Sequence, residues 1–325
     1  MAGTFTLVEF GKLAEVKKDK LLDSVARTLI QESQPMKYIP WETIGLLYRK
    51  LIRIQALPSV SRRKLNSAWT ATTGTTEVLS EGLSIVGGNI DVDKELVEGN
   101  QTIEDVRALQ QYMKVQALAY DFNDQFINGA VISDEDTFDG LKARCDRADM
   151  SAQKLVSATT TNLITDSQAH ALDFIGEMDR LFDALDGHSP TFLVTNGVGL
   201  RKITQALRIA GVLKTDRDNF GQLVILWGDA PIYDMGVQAD QSTKIMGDEA
   251  IGGGAWSSGN YYFSIYAVKI GEGTHFWGIQ KHKLEVKDAG LLEDMVTYRT
   301  NVNWPVGLAC VNKRSIARLY GVRHA

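Results

Sequence analysis

Residues 43–76 contain no Asp or Glu, yet they carry six cations: Arg49, Lys50, Arg53, Arg62, Arg63 and Lys64. Within that stretch, Asn66 to Thr76 holds five threonines in eleven residues, too polar a composition to supply a core. Just before it, Ile52, Ile54 and Ala56 alternate with Arg53 and Gln55, the period of a strand, until Pro58 closes the run. A second extended stretch, with Leu83, Ile85, Ile90 and Val92 around Gly87-Gly88, returns toward the body. Residues 48–92 therefore read as one long two-stranded excursion with a polar, basic tip. A lone two-stranded ribbon is marginal in water, so this one needs support from outside itself.

Charge elsewhere in the chain is complementary to the excursion. Residues 101–189 carry 7 basic and 16 acidic residues, in a chain whose overall net charge is only -5. Contact between copies of the chain is a natural use of that asymmetry. The remaining composition, 44% hydrophobic and 23% charged over 325 residues, is that of a globular chain of about two domains. Two cysteines, Cys145 and Cys310, are too few for a disulfide framework and point to a reducing compartment. No apolar run approaches the roughly 18 residues of a membrane span, and the first residues lack a basic segment followed by an apolar one. The expectation is a protein that is neither membrane-embedded nor exported by a signal peptide.

The order of elements is mixed. Leu13, Val16, Leu22, Val25, Ala26 and Leu29 predict an amphipathic arm within 7–30, stopped by Pro35 and Pro40. The strongest helix pattern covers 102–127, with Thr102 and Asp105 as a capping box and Ile103, Val106, Leu109, Met113, Ala117 and Tyr120 at steps of three and four. Its 26 residues would make a spine about 39 Å long. Farther on, Asp166 or Ser167 caps a helix ended by Gly187, Phe192-Leu193-Val194 is a buried strand, and a second helix ends at Gly211. Strands are predicted at 223–227, 231–233, 261–268, 275–279, 284–286 and 306–311, with a closing helix from Ser315 to Tyr320 capped by Asn312. The fold class is α+β.

Catalytic and ligand-binding patterns fail one by one. After Gly197-Val198-Gly199 the third glycine of a dinucleotide fingerprint would fall at Lys202, and Gly252-Gly253-Gly254 lacks the Lys-Ser or Lys-Thr of a phosphate loop. The five histidines never lie three or four residues apart, so no local metal motif forms. Asp134, Glu135, Asp136 and Asp139 lack the spacing and central glycine of a calcium loop and read as a solvated acidic turn. Arg62, Arg63 and Lys64 with Trp69 supply the minimal ingredients for holding a nucleic-acid strand. A chain with pI near 5.6 favours the other reading, a basic arm laid on an acidic protein surface. No cofactor, metal or catalytic residue is assigned, and neither cysteine receives a role.

Taken in order, the arm, the basic excursion ending in Ser84-Ile85-Val86-Gly87-Gly88-Asn89-Ile90-Asp91-Val92-Asp93, the spine helix and Phe138-Asp139-Gly140-Leu141 resemble the major capsid proteins of tailed bacteriophages, the Hong Kong 97-type fold. Trp227-Gly228-Asp229-Ala230-Pro231-Ile232, Arg299 to Leu308 and Ser315 to Val322 are similar to that family's later strands and closing helix. The resemblance implies an N-terminal arm at 1–40 and a long E-loop at 48–88. It places a peripheral (P) domain with the spine helix at 89–150 and 283–303, and an axial (A) domain with a central β-sheet flanked by helices at 151–282 and 304–325. It implies a structural, non-enzymatic subunit that assembles with copies of itself into pentamers and hexamers of an icosahedral shell around double-stranded DNA, without sequence-specific contacts to it. An encapsulin-like compartment shares that fold and is the alternative; a soluble α/β enzyme with an unrecognised site is the reading from another class. With about 40 residues before the first strand, a separate scaffolding protein is expected, together with a portal and an optional decoration protein, with assembly in the host cytoplasm. Arg62, Arg63, Lys64 and Trp69 are expected to meet an acidic surface formed partly by Asp134, Glu135, Asp136 and Asp139 of a neighbour. The loop 211–221, bearing Lys214, Asp216, Arg217 and Asp218, is expected to line the five-fold and six-fold axes.

Overall fold

The computed structural model describes residues 33, 35–99, 106–157, 163–217, 223–249 and 261–324. From the short β1 (Trp41–Thr43) the chain runs out along β2 (Tyr48–Ala56) and back along β3 (Thr75–Gly82). It continues through β4 (Ser84–Asp93), α1 (Lys94–Gly99), the spine helix α2 (Val106–Asn128), α3 (Leu141–Cys145) and β5 (Lys154–Val156). The next unit holds α4 (Gln168–Asp183), β6 (Phe192–Thr195), α5 (Gly197–Ala210), β7 (Lys214–Arg217), β8 (Leu223–Trp227) and β9 (Ala230–Asp234). The chain closes through β10 (Tyr262–Val268), β11 (Phe276–Gln280), β12 (Glu285–Leu291), β13 (Thr297–Cys310) and β14 (Ile316–Arg323).

Among the described residues these strands build three sheets. The five-stranded one runs β1-β11-β13-β12, with β4 along the other side of β13; a seven-stranded one runs β5-β14-β10-β6-β9-β8-β7; β2 and β3 pair only with each other. Strand β13 is the common rail of the first sheet, since its 14 residues are long enough to pair with β12 over Tyr298 to Asn303 and with β11 over Val306 to Cys310 on the same side. On its other side it meets β4 antiparallel, Thr297 opposite Asp93 through Val306 opposite Ser84. Gly87 is required there, because a Cβ on it would come within 2.1 Å of the Val302 carbonyl oxygen.

Helix α2 lies against this sheet by its second half. Val115, Leu118, Ala119, Phe122, Phe126 and Ile127 are buried, and Phe122 meets the rings of Trp41, Phe138 and Trp304 at centroid distances of 5.6–6.0 Å. The face counted forward from Ile103 is a different one: Leu109 and Met113 are exposed, so the expected buried stripe is corrected to one that starts at Val115. Val106 at the start of the helix packs against the edge of the same core, but Leu109 and Met113 turn away from it. Residues 102–105, and with them the expected cap, lie outside the described residues, as do the 7–30 arm helix, Gly252 to Gly254 and Asp218.

The seven-stranded sheet carries α4 and α5. Ser167 caps α4, its hydroxyl accepting from the His170 N–H at 3.2 Å, and Asn196 caps α5, its side-chain Oδ1 accepting from the Gly199 N–H at 2.6 Å. Gly211 ends α5 in the left-handed conformation (φ 75°), a position that favours glycine. Gly199 is packed so closely on Thr195 and Phe263 that a Cβ would meet them at 2.5 and 2.7 Å, which gives Gly197-Val198-Gly199 a packing role.

Three expectations are corrected here. The segment 316–323 is a strand, not a helix: β14 lies between β10 and β5, hydrogen-bonded on both edges and buried on both faces, so it shows no alternation by which to tell it from a buried helix. The return strand of the excursion is Thr75–Gly82, with Leu51 opposite Leu79 and Ile52 opposite Val78, whereas 84–93 belongs to the five-stranded sheet. Residues 214–217 form an edge strand paired with β8, Lys214 opposite Leu226, and are not a plain loop.

Candidate assembly surfaces

The ribbon β2–β3 is held at its base by charge. Arg53 points inward from β2 and is 1% exposed; its Nε donates to the Val311 carbonyl at 3.0 Å, its Nη2 to that of Cys310 at 2.9 Å and its Nη1 to the Asp149 carboxylate at 3.0 Å. In the opposite sense, Arg144 of α3 reaches out to Glu81 of β3 with two parallel bonds of 2.7 and 2.9 Å, and also donates to the Asp139 and Leu308 carbonyls. Both guanidiniums are buried, so every donor that finds an acceptor offsets a desolvation cost. The Leu83 N–H donating to the Leu47 carbonyl at 3.0 Å closes the ribbon's neck.

This clamp fixes which side of the alternation along β2 faces the body. Leu51 and Arg53 face the body, while Ile52 (67% exposed) and Ile54 (63%) face outward beside Val78 (67%). A two-residue period alone does not say which face is buried, and in this strand the arginine took the inner one. The outward apolar face is the feature that sequence reading missed. In the ribbon Ile52 lies opposite Val78, while Arg53 lies opposite Glu77.

Of the six cations in 43–76, the body therefore uses two: Arg53, and Arg49, which pairs with Glu42 at 2.9 Å. At the tip, Arg62, Arg63, Lys64 and Trp69 are all exposed, and the contacts they make stay within the tip. The Arg63 guanidinium lies over the Trp69 ring, 5.6 Å from its centroid, and donates to the Ser67 carbonyl; the Ser67 hydroxyl donates to the Lys64 carbonyl. Val60 and Leu65 are more than nine-tenths exposed beside them. The tip thus combines cations with uncovered apolar surface.

The acidic turn divides in two. Asp134, Glu135 and Asp136 are exposed, and the Asp134 carboxylate accepts from the Asp136 N–H at 3.0 Å. Asp139 is instead tied down inside the chain, paired with Arg147 and accepting from the Val131 N–H at 3.0 Å. Burial pushes its carboxyl upward, but the Val131 N–H and the Arg147 charge outweigh that and hold it below the ordinary carboxylate range. At the far edge of the seven-stranded sheet, Lys214, Asp216 and Arg217 are exposed on β7, and Asp216 accepts from the Arg217 N–H. Tip, turn and β7 are separate places on one chain, so these residues form no common centre within it.

Cys145 and Cys310 are buried free thiols, and burial pushes Cys145 up to about 12, far from a nucleophile's range. Among the described residues no helix is long and apolar enough to cross a membrane, and no three His, Cys, Asp or Glu are placed to hold a metal.

A sequence-family model described as major capsid protein GP7 matches residues 17–167. No curated protein matches the chain in sequence. Among solved structures, the fold is similar to the holo-SrpI encapsulin complex of Synechococcus elongatus PCC 7942, with TM-score 0.64 and 14% identity over 90% of this chain and 88% of that one. It is also similar to the capsid of the native GTA particle, with TM-score 0.60 and 11% identity over 91% and 90% of the two chains. A chain of Microbacterium phage Oxtober96 aligns at TM-score 0.57 and 11% identity over 89% and 90%. At such identities the structures speak for the fold, and the family match speaks for residues 17–167. The chain has the Hong Kong 97-type fold shared by these capsid and encapsulin shells, and over residues 17–167 it matches the major capsid protein GP7 model.

Proposed function

We propose that copies of this chain form pentamers and hexamers that close into an icosahedral shell around double-stranded phage DNA, held without sequence-specific contacts. In this reading the ribbon lies within the E-loop (48–88), the spine helix and β12 lie within the peripheral domain (89–150 and 283–303), and the seven-stranded sheet with its helices lies within the axial domain (151–282 and 304–325), while the five-stranded sheet runs across these bounds through β1, β4, β11 and β13. Residues 1–40 are the N-terminal arm. The subunit's role is structural, not enzymatic. A scaffolding protein and a portal direct closure in the host cytoplasm, and a decoration protein is an optional addition. The ribbon tip, with Arg62, Arg63, Lys64 and Trp69, reaches a neighbour's acidic surface around Asp134, Glu135, Asp136 and Asp139. The segment 211–221, which contains Lys214, Asp216, Arg217 and Asp218, faces the symmetry axes.

One observation carries this reading: a ribbon clamped at its base presents Ile52, Ile54 and Val78 outward and ends in cations whose contacts stay within the tip. An apolar face of that kind is covered in a working protein, and a neighbouring copy is the cover an assembling subunit always has at hand. The likeness to an encapsulin keeps a protein-filled compartment as the second reading. Purified particles decide between them: nuclease-protected DNA inside supports the phage shell, and a single enclosed protein with no DNA supports the compartment.

A further inference from the structure

We propose that the seven-stranded sheet carries both halves of one contact between copies, an acidic flank on α4 that docks on the basic α5–β7 flank of the next chain; this rests on the shell reading above. The two helices lie side by side on the sheet. Helix α4 packs on β14, and its Arg180 donates to the Val156 carbonyl of the edge strand β5 at 3.3 Å. Helix α5 packs on β10 and β9, toward the other edge, where β7 ends the sheet. The helices therefore follow the order of the strands, α4 nearer β5 and α5 nearer β7.

Charge divides along that order. Helix α4 holds Asp173, Glu177, Asp179 and Asp183 against one full cation, Arg180, whereas α5 holds Arg201, Lys202 and Arg208 and no acid. Glu177 is spent on Arg180 at 3.1 Å. Asp173, Asp179, Arg201 and Arg208 are exposed, and none of the four makes an ion pair among the described residues, although their helices touch. Partial desolvation, and then the charge of Asp183, raise the Asp179 carboxyl above its ordinary value, a state that a cation arriving from outside relieves. Each flank also bares apolar surface. Leu172 of α4 and Val156 of β5 are exposed on the acidic side, Val212 after α5 and Leu223 of β8 on the basic side, with Leu223 opposite Arg217 of β7. Apolar contact ringed by charge is the ordinary make-up of a protein interface.

Charge also selects the occupant. A second copy carries the complement of both flanks at once, and setting α4 on α4 or α5 on α5 would oppose like charges. Two different patches toward opposite edges of one sheet make a head-to-tail contact. Such a contact closes into a ring when successive copies are related by rotation.

Native mass spectrometry of charge-reversed copies tests the contact. Arg201→Glu with Arg208→Glu makes a copy whose two flanks are both acidic, and Asp173→Lys with Asp179→Lys makes one whose flanks are both basic. Each alone should form rings about tenfold less readily than the parent, the effect of a few exposed ion pairs acting together. Mixed, the two should alternate and restore six-membered rings but not five-membered ones, because alternation cannot close on an odd number. Where a reversal shifts the urea midpoint, the neutral pair Arg201→Gln with Arg208→Gln takes its place and should still lower the yield of rings several-fold. Variants that form rings as the parent does, folded variants that mixing fails to rescue, or a mixture giving five-membered rings in the parent's proportion overturn the pairing. Closed dimers in place of rings overturn its head-to-tail sense. A parent chain that forms neither rings nor shells would instead overturn the shell reading on which the contact rests.

Discussion

Arg144 and Glu81, 63 residues apart in sequence, meet in a buried two-pronged ion pair with Nη1–Oε1 at 2.7 Å and Nη2–Oε2 at 2.9 Å. The pair joins α3 of the body to β3 of the ribbon, and with the oppositely directed Arg53 it fixes the angle at which the ribbon leaves the body. Breaking one side leaves a buried charge without its partner. Glu81→Gln should therefore destabilise the subunit by about 3–5 kcal/mol, while the paired change Glu81→Leu with Arg144→Met should cost much less. Urea unfolding of the isolated subunit measures both, and equal losses for the two variants would contradict the clamp.

Beyond the clamp the ribbon has little to hold it. Amides of 57–74 should exchange with solvent at least about tenfold faster in the free subunit than in assembled shells, because a two-stranded ribbon is marginal until a neighbour covers it. Equal protection in both states would show that the ribbon's order is its own.

How much of this was legible in sequence depended on the range of the signal. Ser167 and Gly211 act within four residues of their own helix ends, so their roles could be read locally and the structure repeats them. The fold family was legible too, through the collinear order of motifs and not through any single one. The strand at 316–323 was not, because its identity comes from β10 and β5 on either side. Nor was the inward turn of Arg53, whose acceptors are about 260 residues away at Cys310 and Val311. At the candidate surfaces, the exposed cations of the tip were legible as charge, but Asp139's engagement with Arg147 exists only once the chain has folded.

The tip cations should matter for assembly and not for folding. Arg62→Glu with Arg63→Glu should leave the unfolding midpoint within about 0.5 kcal/mol of the parent, since both side chains are exposed, yet lower the yield of particles. The parent's assembly should weaken as salt rises, because screening acts over about 8 Å at physiological ionic strength. Normal, salt-resistant, empty particles from the variant would redirect the tip toward a DNA contact.

A residue without an assigned role still has a structural cost. Cys145 is 1% exposed, so Cys145→Ser places a hydroxyl in the core and should lower stability by about 1–3 kcal/mol without touching assembly. A variant as stable as the parent would show that the site tolerates a polar atom.

Asp139 gives a pH signature with a definite sign. Its native pKa is depressed, so its contribution is fully present above the ordinary aspartate value of about 3.9 and is lost as pH falls through the lower native value. Asp139→Asn should cost about 1–2 kcal/mol at pH 7 and progressively less below pH 4. A difference between variant and parent that stays constant down to pH 2 would contradict the pairing with Arg147.

Electron microscopy of the purified protein and of particles from producing cells tests most directly whether this chain is a shell subunit. The predicted result is closed icosahedral shells, or the five-membered and six-membered rings that precede them, with each ribbon lying across a neighbouring copy. Monomers or small closed oligomers at every concentration, with the outward face of Ile52, Ile54 and Val78 still open to solvent, would contradict it.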